Sequence, residues 1–379
     1  MLRRDLSSLE AVLLLRDGTV FRGKGFGSPK KVVGEVVFNT GMVGYTETLT
    51  DPSYRGQILC FTYPMIGNYG VPSYEHVEDD GFPTFFESNR IQSLGVIVHD
   101  LCVSPNHWRS TKSFNDWLVE EDIPGIHGVD TRTLTKKLRM HGVMMGILEI
   151  SEKGIDEKRL VEELGSSKSY DELNLVEEVS VHGSNSFGLE NKPTIVLIDC
   201  GVKYGIIRNL LARGFRVIRV RYDSSSSEIL SHNPIGVVVS NGPGDPKMCT
   251  STIKTIREVL EMNVPTLGIC LGNQLLALAL GGETFKLKYG HRGQNKPCVD
   301  LSSGLSYVTS QNHGYSVDPQ SLPGTGLETW FVNADDQTIE GIKHESKPCL
   351  AVQFHPEASP GPYDTGFVFD IFQSMIVRR

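Results

Sequence analysis

Apolar positions along this 379-residue chain change their rhythm about halfway. Near the start, Ala11 to Leu15 and Thr19 to Phe21 flank Asp17-Gly18, the arrangement of a β-hairpin. Val32 to Phe38 and Ile58 to Tyr63 are further short β runs of branched and aromatic residues. Arg132 to Arg139 carries helical spacing behind Asp130, a residue type suited to cap it. Residues 1–152 therefore read as a smaller, mixed, strand-rich α/β domain. Sustained periodicity then fades. Residues 153–192 hold charge runs, Ser166-Ser167-Lys168-Ser169 and Gly183-Ser184-Asn185-Ser186, and read as a connector with one or two surface helices.

From residue 193 the pattern is regular. Thr194 to Asp199, Val217 to Val220, Ile235 to Ser240 and Thr266 to Ile269 read as apolar strands, and Tyr204 to Arg213 and Thr252 to Met262 as helices between them. Continuous apolar strands alternating with helices predict a doubly wound, mostly parallel sheet covered on both faces over residues 193–379. In such sheets ligands sit beyond the carboxyl ends of the strands. Those ends are where chemistry is expected.

Composition removes several alternatives. With 45 acidic against 37 basic residues, the net charge of -8 offers no basic face for nucleic acid. No apolar run approaches the ~20 residues of a membrane span. The N-terminus has two arginines but lacks the apolar core of a secretory signal, and Asp5 and Glu10 do not suit a mitochondrial presequence, so cytoplasm is the default expectation. The seven cysteines are scattered singly, with no C-x-x-C, so neither a disulfide framework nor a zinc site is expected.

One cysteine stands apart. Gly268-Ile269-Cys270-Leu271-Gly272-Asn273-Gln274 runs from a strand end into the apolar stretch Leu275 to Leu280. A nucleophile on so sharp a strand-to-helix turn stands above the sheet. The helix N-terminus favours its thiolate, and the free N–H groups of the first turn, from Leu271 on, suit an oxyanion. A buried structural cysteine is the commoner fate of a lone thiol, and the position between two glycines at the junction weighs against it.

A thiolate nucleophile needs a proton shuttle. Leu350 to Phe354 is a strand running into His355-Pro356-Glu357, where extended backbone points residues 355 and 357 the same way and lets the carboxylate orient the imidazole. Two further loops complete the inventory. Ser240-Asn241-Gly242-Pro243-Gly244-Asp245-Pro246 is a stiff turn, with a plain turn as an even alternative. Ser310-Gln311-Asn312-His313-Gly314-Tyr315 suits a turn after Tyr307 to Thr309.

Taken together these four motifs resemble the class I, triad-type glutamine amidotransferases. The resemblance extends through the first domain to the carbamoyl phosphate synthetase small subunit, or the equivalent region of the fused pyrimidine-pathway enzyme. It is carried there by Gly34 to Met42, Thr50 to Tyr54, Thr62-Tyr63-Pro64 with Ile66-Gly67-Asn68, and Gly128 to Arg132 with Leu134-Thr135. It implies that Cys270 attacks the carboxamide of L-glutamine, that His355 shuttles the proton, and that Glu357 orients His355. It also implies glutamine contacts from Ser53, Gly242, Gly244, Leu271, Gln274, Asn312, Gly314 and Tyr315, with Ser53 contributed by the first domain. Position 315 is often Phe in the family and position 273 often His; here they are Tyr and Asn. Gly290 to Asn295 is also family-like, with no physical account from the residues themselves.

No phosphate-binding G-x-x-x-x-G-K-[ST] occurs in the chain, so no cofactor is expected here. The resemblance assigns ATP, bicarbonate and metal ions to a large carbamoyl phosphate synthetase subunit or fused synthetase domain, which this chain would supply with ammonia for arginine or pyrimidine synthesis. Two rival readings keep the fold. A weak or inactive regulatory subunit would be signalled by loss of Cys270, Gln274 or His355. A γ-glutamyl peptidase would have no use for the first domain.

Overall fold

The computed structural model describes residues 9–75, 77 and 81–377, so the arginine-bearing N-terminal stretch lies outside the described residues. The chain forms two compact units, one dividing from the other after Leu173, with residues 81–82 belonging to the second.

The first unit is a closed barrel of seven strands. Its hairpin pairs Glu10–Leu15 with Val20–Gly27, Leu14 opposite Val20, around the expected Asp17-Gly18 turn. Lys31–Asn39, Gln57–Phe61, Gly95–Ile97 and Pro124–His127 lie parallel in succession, and Met144–Ser151 closes the ring against Glu10–Leu15. Closure leaves no strand edge to be protected. One side of the barrel is filled by an aromatic core that includes Phe26, Phe86, Phe114 and Trp117. The helix Thr131–His141 starts where expected, with the Asp130 side chain accepting from Thr133 N at 2.9 Å.

The stretch 153–192 is shared out between the units. The helix Glu157–Ser166 buries Leu160 and Leu164 in the first, and Leu175–Val179 buries Leu175 and Val176 in the second. Asn185–Phe187 even adds an antiparallel edge strand to the second unit's sheet. A leucine every fourth residue is enough to bury one face of a short helix, which weak periodicity concealed.

The second unit is built on a ten-stranded sheet. At its centre Arg216–Arg221, Thr194–Asp199, Gly236–Val239, Thr266–Ile269 and Cys349–Val352 run parallel. Beyond Cys349–Val352 the sheet continues through antiparallel strands Ile339–His344, Leu327–Asn333, Thr284–Asp300 and Ser306–Val317. The strand Thr194–Asp199 shows why it reads as uniformly apolar. Ile195 and Leu197 enter a core beneath the helices Tyr204–Ala212 and Phe367–Val377, while Val196 and Ile198 enter another beneath Thr250–Glu261 and Leu271–Ala279. Alternate side chains leave opposite faces of a strand, so a strand covered twice must be apolar throughout. Each of those four buried side chains contributes roughly 1.5–3 kcal/mol.

One local expectation fails. Residues 310–315 are not a turn: Ser306–Val317 is one strand, paired with Thr284–Asp300 and placing Asn312 opposite Arg292. Gln311, Asn312 and His313, which suggested a loop, are instead buried within the sheet.

Candidate active site

The strand Thr266–Ile269 ends at Cys270, and the helix Leu271–Ala279 begins one residue later. Cys270 takes φ 54° and ψ −101°, a conformation that non-glycine residues rarely adopt and that surrounding structure must hold in place. Its flanks show how. Gly272 packs so tightly under the elbow that a Cβ there would stand 2.2 Å from the Val239 carbonyl oxygen. A Cβ on Gly242, in the neighbouring strand-end loop, would stand 2.1 Å from the Cys200 carbonyl oxygen and 2.8 Å from Leu271 Cδ2. Both positions demand glycine. They let the 240–244 loop approach the turn that carries the thiol, and the Gly272 N–H donates to the Ser240 carbonyl at 3.1 Å. As the first residue of its helix, Leu271 has a backbone N–H with no acceptor in the turn before it.

His355 and Glu357 follow the strand Cys349–Val352, which lies beside the strand that ends at Cys270. The His355 N–H is held by the Ser310 carbonyl at 2.9 Å, and the Cys270 N–H by the Val352 carbonyl at 2.8 Å. His355 Nδ1 donates to Glu357 Oε1 at 2.6 Å. Its Nε2 has no hydrogen-bond partner, while the Cys270 sulfur acts on the ring electrostatically. All three residues are buried.

The second cation at this carboxylate is Lys203, which sequence reasoning missed. Its Nζ lies 3.1 Å from Glu357 Oε1 and donates to the Ala358 carbonyl at 2.7 Å. The loop bearing it is laced to the strand ends: Asp199 accepts from the N–H groups of Gly201 and Val202, and Asn241 Oδ1 from that of Lys203. Burial favours a neutral Glu357, but Lys203 and then His355 outweigh it and hold the carboxyl down at about 2. Burial also works against the His355 imidazolium, but the Glu357 charge and then the Cys270 sulfur push it up to about 10, against a smaller opposing effect of Lys203. The site is thus a buried proton store beside a thiol.

Gln353 was missed as well. Its Nε2 lies 3.7 Å from Cys270 Sγ, and its Oε1 accepts from Asn273 Nδ2 at 3.2 Å and Gln274 Nε2 at 3.1 Å. Gln274 Nε2 also donates to the Tyr315 carbonyl at 3.0 Å, so this amide braces the strand that carries Asn312, Gly314 and Tyr315. The Asn312 carbonyl oxygen is 3.7 Å from Cys270 Sγ. Gly314 lies against Arg292, whose guanidinium would be 3.3 Å from a Cβ at 314, and Tyr315 is buried. Gly244 takes φ 88°, closing the loop that Gly242 opens.

Of the expected residues, Cys270, Leu271, Gln274, Gly242, Gly244, Asn312, Gly314, Tyr315, His355 and Glu357 all stand at neighbouring strand ends of the second unit or on the strand braced against them. Ser53 belongs to the first unit, where it is buried in the turn Pro52–Tyr54 and its N–H donates to Asp51 Oδ1 at 2.9 Å. Lys203 and Gln353 left one signal in the sequence: a lysine four residues, and a glutamine one residue, beyond the end of an apolar strand. That is too common to single out.

Comparison with known proteins accords with this geometry. Residues 196–375 match the family model described as glutamine amidotransferase class-I, and residues 13–148 match that of the carbamoyl-phosphate synthase small chain, CPSase domain. The carbamoyl phosphate synthase small chain of Methanopyrus kandleri is 49% identical over 370 residues, 97% of this chain and 99% of that one. Those of Saccharolobus solfataricus and Pyrococcus furiosus are 46% and 47% identical, covering 99% and 97% of this chain. Similarity of that extent along both units establishes that the chain belongs to the carbamoyl phosphate synthase small chain family.

Proposed function

We propose that this chain hydrolyses L-glutamine through a Cys270 thioester and hands the ammonia to a large synthetase partner that uses ATP and bicarbonate. It is the glutamine amidotransferase component of a carbamoyl phosphate synthase, and the residue-level chemistry is our reading of the site. The observation that carries it is the run of contacts from Lys203 through Glu357 to His355, buried with Cys270, whose sulfur acts on the His355 ring electrostatically.

The Cys270 thiolate attacks the side-chain carboxamide carbon, and the developing oxyanion is met by the Leu271 and Gly242 N–H groups. His355 Nε2, whose other nitrogen is held by Glu357, donates its proton to the departing nitrogen. The C–N bond breaks, ammonia leaves, and a γ-glutamyl thioester remains. His355 then removes a proton from water, which attacks the same carbon; the C–S bond breaks, releasing glutamate and returning the thiolate. Gly244, Gln274, Asn312, Gly314 and Tyr315 hold the amino-acid end of the substrate.

An inactive regulatory subunit is the weaker reading, because it has no need of a strained nucleophile elbow or a buried three-member ion chain. We place the reaction in the cytoplasm; no helix among the described residues is long and apolar enough to cross a membrane. The decisive experiment measures glutamate release and glutamine-dependent carbamoyl phosphate formation with the partner present. Cys270→Ser abolishes both and spares synthesis from added ammonia. Glutamine hydrolysis at wild-type rate in that variant would end the reading.

A further inference from the structure

Three strands of the second unit bring two histidines and a glutamate together beside the segment that carries Asn312 and Gly314. His291 and His313 are direct cross-strand partners, so their side chains leave the same face of the sheet. Their rings meet edge to face with centroids 5.0 Å apart. Glu340 comes from the strand Ile339–His344. Its Oε1 lies 3.3 Å from His291 Nδ1 and 3.6 Å from His313 Nε2, and all three residues are buried.

The outer nitrogens decide what the inner ones carry. His313 Nδ1 is 2.8 Å from the Tyr315 carbonyl oxygen, which can only accept, so the hydrogen sits on Nδ1 and Nε2 is a bare lone pair. His291 Nε2 donates to Asp336 Oδ2 at 2.9 Å. Asn333 Nδ2 donates to Glu340 Oε1 at 3.3 Å and lies 3.4 Å from His291 Nδ1. Even so, His313 Nε2 and Glu340 Oε2 are left without a hydrogen-bond partner. Bare acceptors buried against a carboxylate are costly unless something positive lies between them.

We propose that His291 Nδ1, His313 Nε2 and Glu340 form a buried site for a divalent transition metal of zinc-like preference. A tetrahedral ion with bonds of about 2.1 Å holds its ligand atoms about 3.4 Å apart. The two separations to Glu340 Oε1 bracket that distance, and the donor atoms of the trio all lie within 4.8 Å of one another. The unpartnered Glu340 Oε2 stands ready as a further ligand atom. Each histidine's outer nitrogen is already fixed by an oxygen, Asp336 for His291 and Tyr315 for His313, the support that metal-binding imidazoles require. Two nitrogen donors and one carboxylate suit zinc over calcium or magnesium, which prefer all-oxygen shells.

Cysteine spacing gave no hint of this site, since no thiol takes part. The metal's role is to pin the register of residues 312–315. That consequence rests on the amidotransferase reading; the metal site itself does not.

The test is metal analysis of the full-length chain after dialysis, followed by Zn2+ titration of chelator-treated protein and its Co2+ absorption spectrum. A single retained equivalent, a Zn2+-dependent rise in Tm and four-coordinate Co2+ bands are expected. Asp336→Asn weakens Zn2+ binding by about 10–100-fold. Metal removal raises KM for glutamine more than it lowers kcat. The proposal is overturned if the wild-type chain retains no metal and shows no Zn2+ response, or if binding persists unchanged in both Glu340→Gln and His313→Gln. Should those variants not fold, the wild-type Co2+ spectrum decides by itself.

Discussion

Lys203 Nζ and His355 Nδ1 meet the same carboxylate oxygen, Glu357 Oε1, at 3.1 and 2.6 Å. Two buried cationic side chains therefore share one buried anion, and the third member of the balance is the Cys270 sulfur. Lys203→Met removes the larger of the two influences that hold the Glu357 carboxyl down at about 2. The carboxyl then protonates at higher pH, so the acid limb of kcat/KM moves up relative to wild type. Breaking a buried ion pair from one side typically costs about 3–5 kcal/mol. Urea unfolding of the variant checks that loss, and a pH–rate profile checks the shift.

The same chain gives stability a pH window. The Glu357 carboxyl is lowered from 4.5 to about 2, so its contribution is complete above 4.5 and is lost as pH falls toward 2. The His355 imidazole is raised from 6.5 to about 10, so its contribution is complete below 6.5 and disappears as pH climbs to 10. His355→Gln should therefore flatten the alkaline fall in Tm between those two values. Parallel wild-type and variant melting curves across that range measure the difference. Identical slopes would remove His355 from the ion chain.

Chemical selectivity among the seven cysteines follows from burial. Burial pushes the thiols of Cys60, Cys249 and Cys349 up to about 12 and raises those of Cys200 and Cys298 as well. Cys102 is partly exposed, and Cys270 stands at the strand–helix elbow. A glutamine-mimicking alkylator is expected to mark Cys270 alone, and a small general alkylator Cys102 in addition. Peptide mapping distinguishes the sites, and glutamine-protected label on any other cysteine counts against the assigned nucleophile.

The elements that were legible in the sequence are those governed by one local rule. The 266–269 strand and its turn at Cys270 were visible because two glycines and a strand–helix switch occupy five residues. The central strands were visible because double coverage makes them apolar without interruption. The strand 306–317 was misread because it is polar on both of its buried faces: Gln311, Asn312 and His313 look like a loop until their partners on other strands are known. Lys203 fails for the same reason. A buried lysine is intelligible only beside Glu357, which lies 154 positions away in the chain, the difference between 357 and 203. Gly290 to Asn295, family-like but physically mute as sequence, now has an account: it forms an irregular stretch of strand that delivers His291 and Arg292 opposite His313 and Asn312.

Asn273 offers the last test, because it separates shape from proton chemistry at the elbow. It is fully buried in the first turn after Cys270, its Nδ2 donates to Gln353 Oε1 at 3.2 Å, and its Oδ1 has no hydrogen-bond partner. An amide cannot titrate near neutral pH, so residue 273 carries no proton in the reaction. Its work is to hold Gln353, whose other amide atom lies 3.7 Å from the thiol sulfur. A histidine can donate the same hydrogen bond, so Asn273→His should change kcat/KM by less than about tenfold, ~1.4 kcal/mol of barrier. Gln353→Glu keeps the shape but sets a negative charge against the sulfur in place of a donor. It should lower kcat by about 10²-fold, comparable to removing an oxyanion donor. Steady-state glutaminase kinetics of the two variants, with the synthetase partner present, give the comparison. A wild-type chain that is inert until Asn273→His restores turnover would show that proton transfer runs through residue 273, and the roles given to His355 and Glu357 would have to be withdrawn.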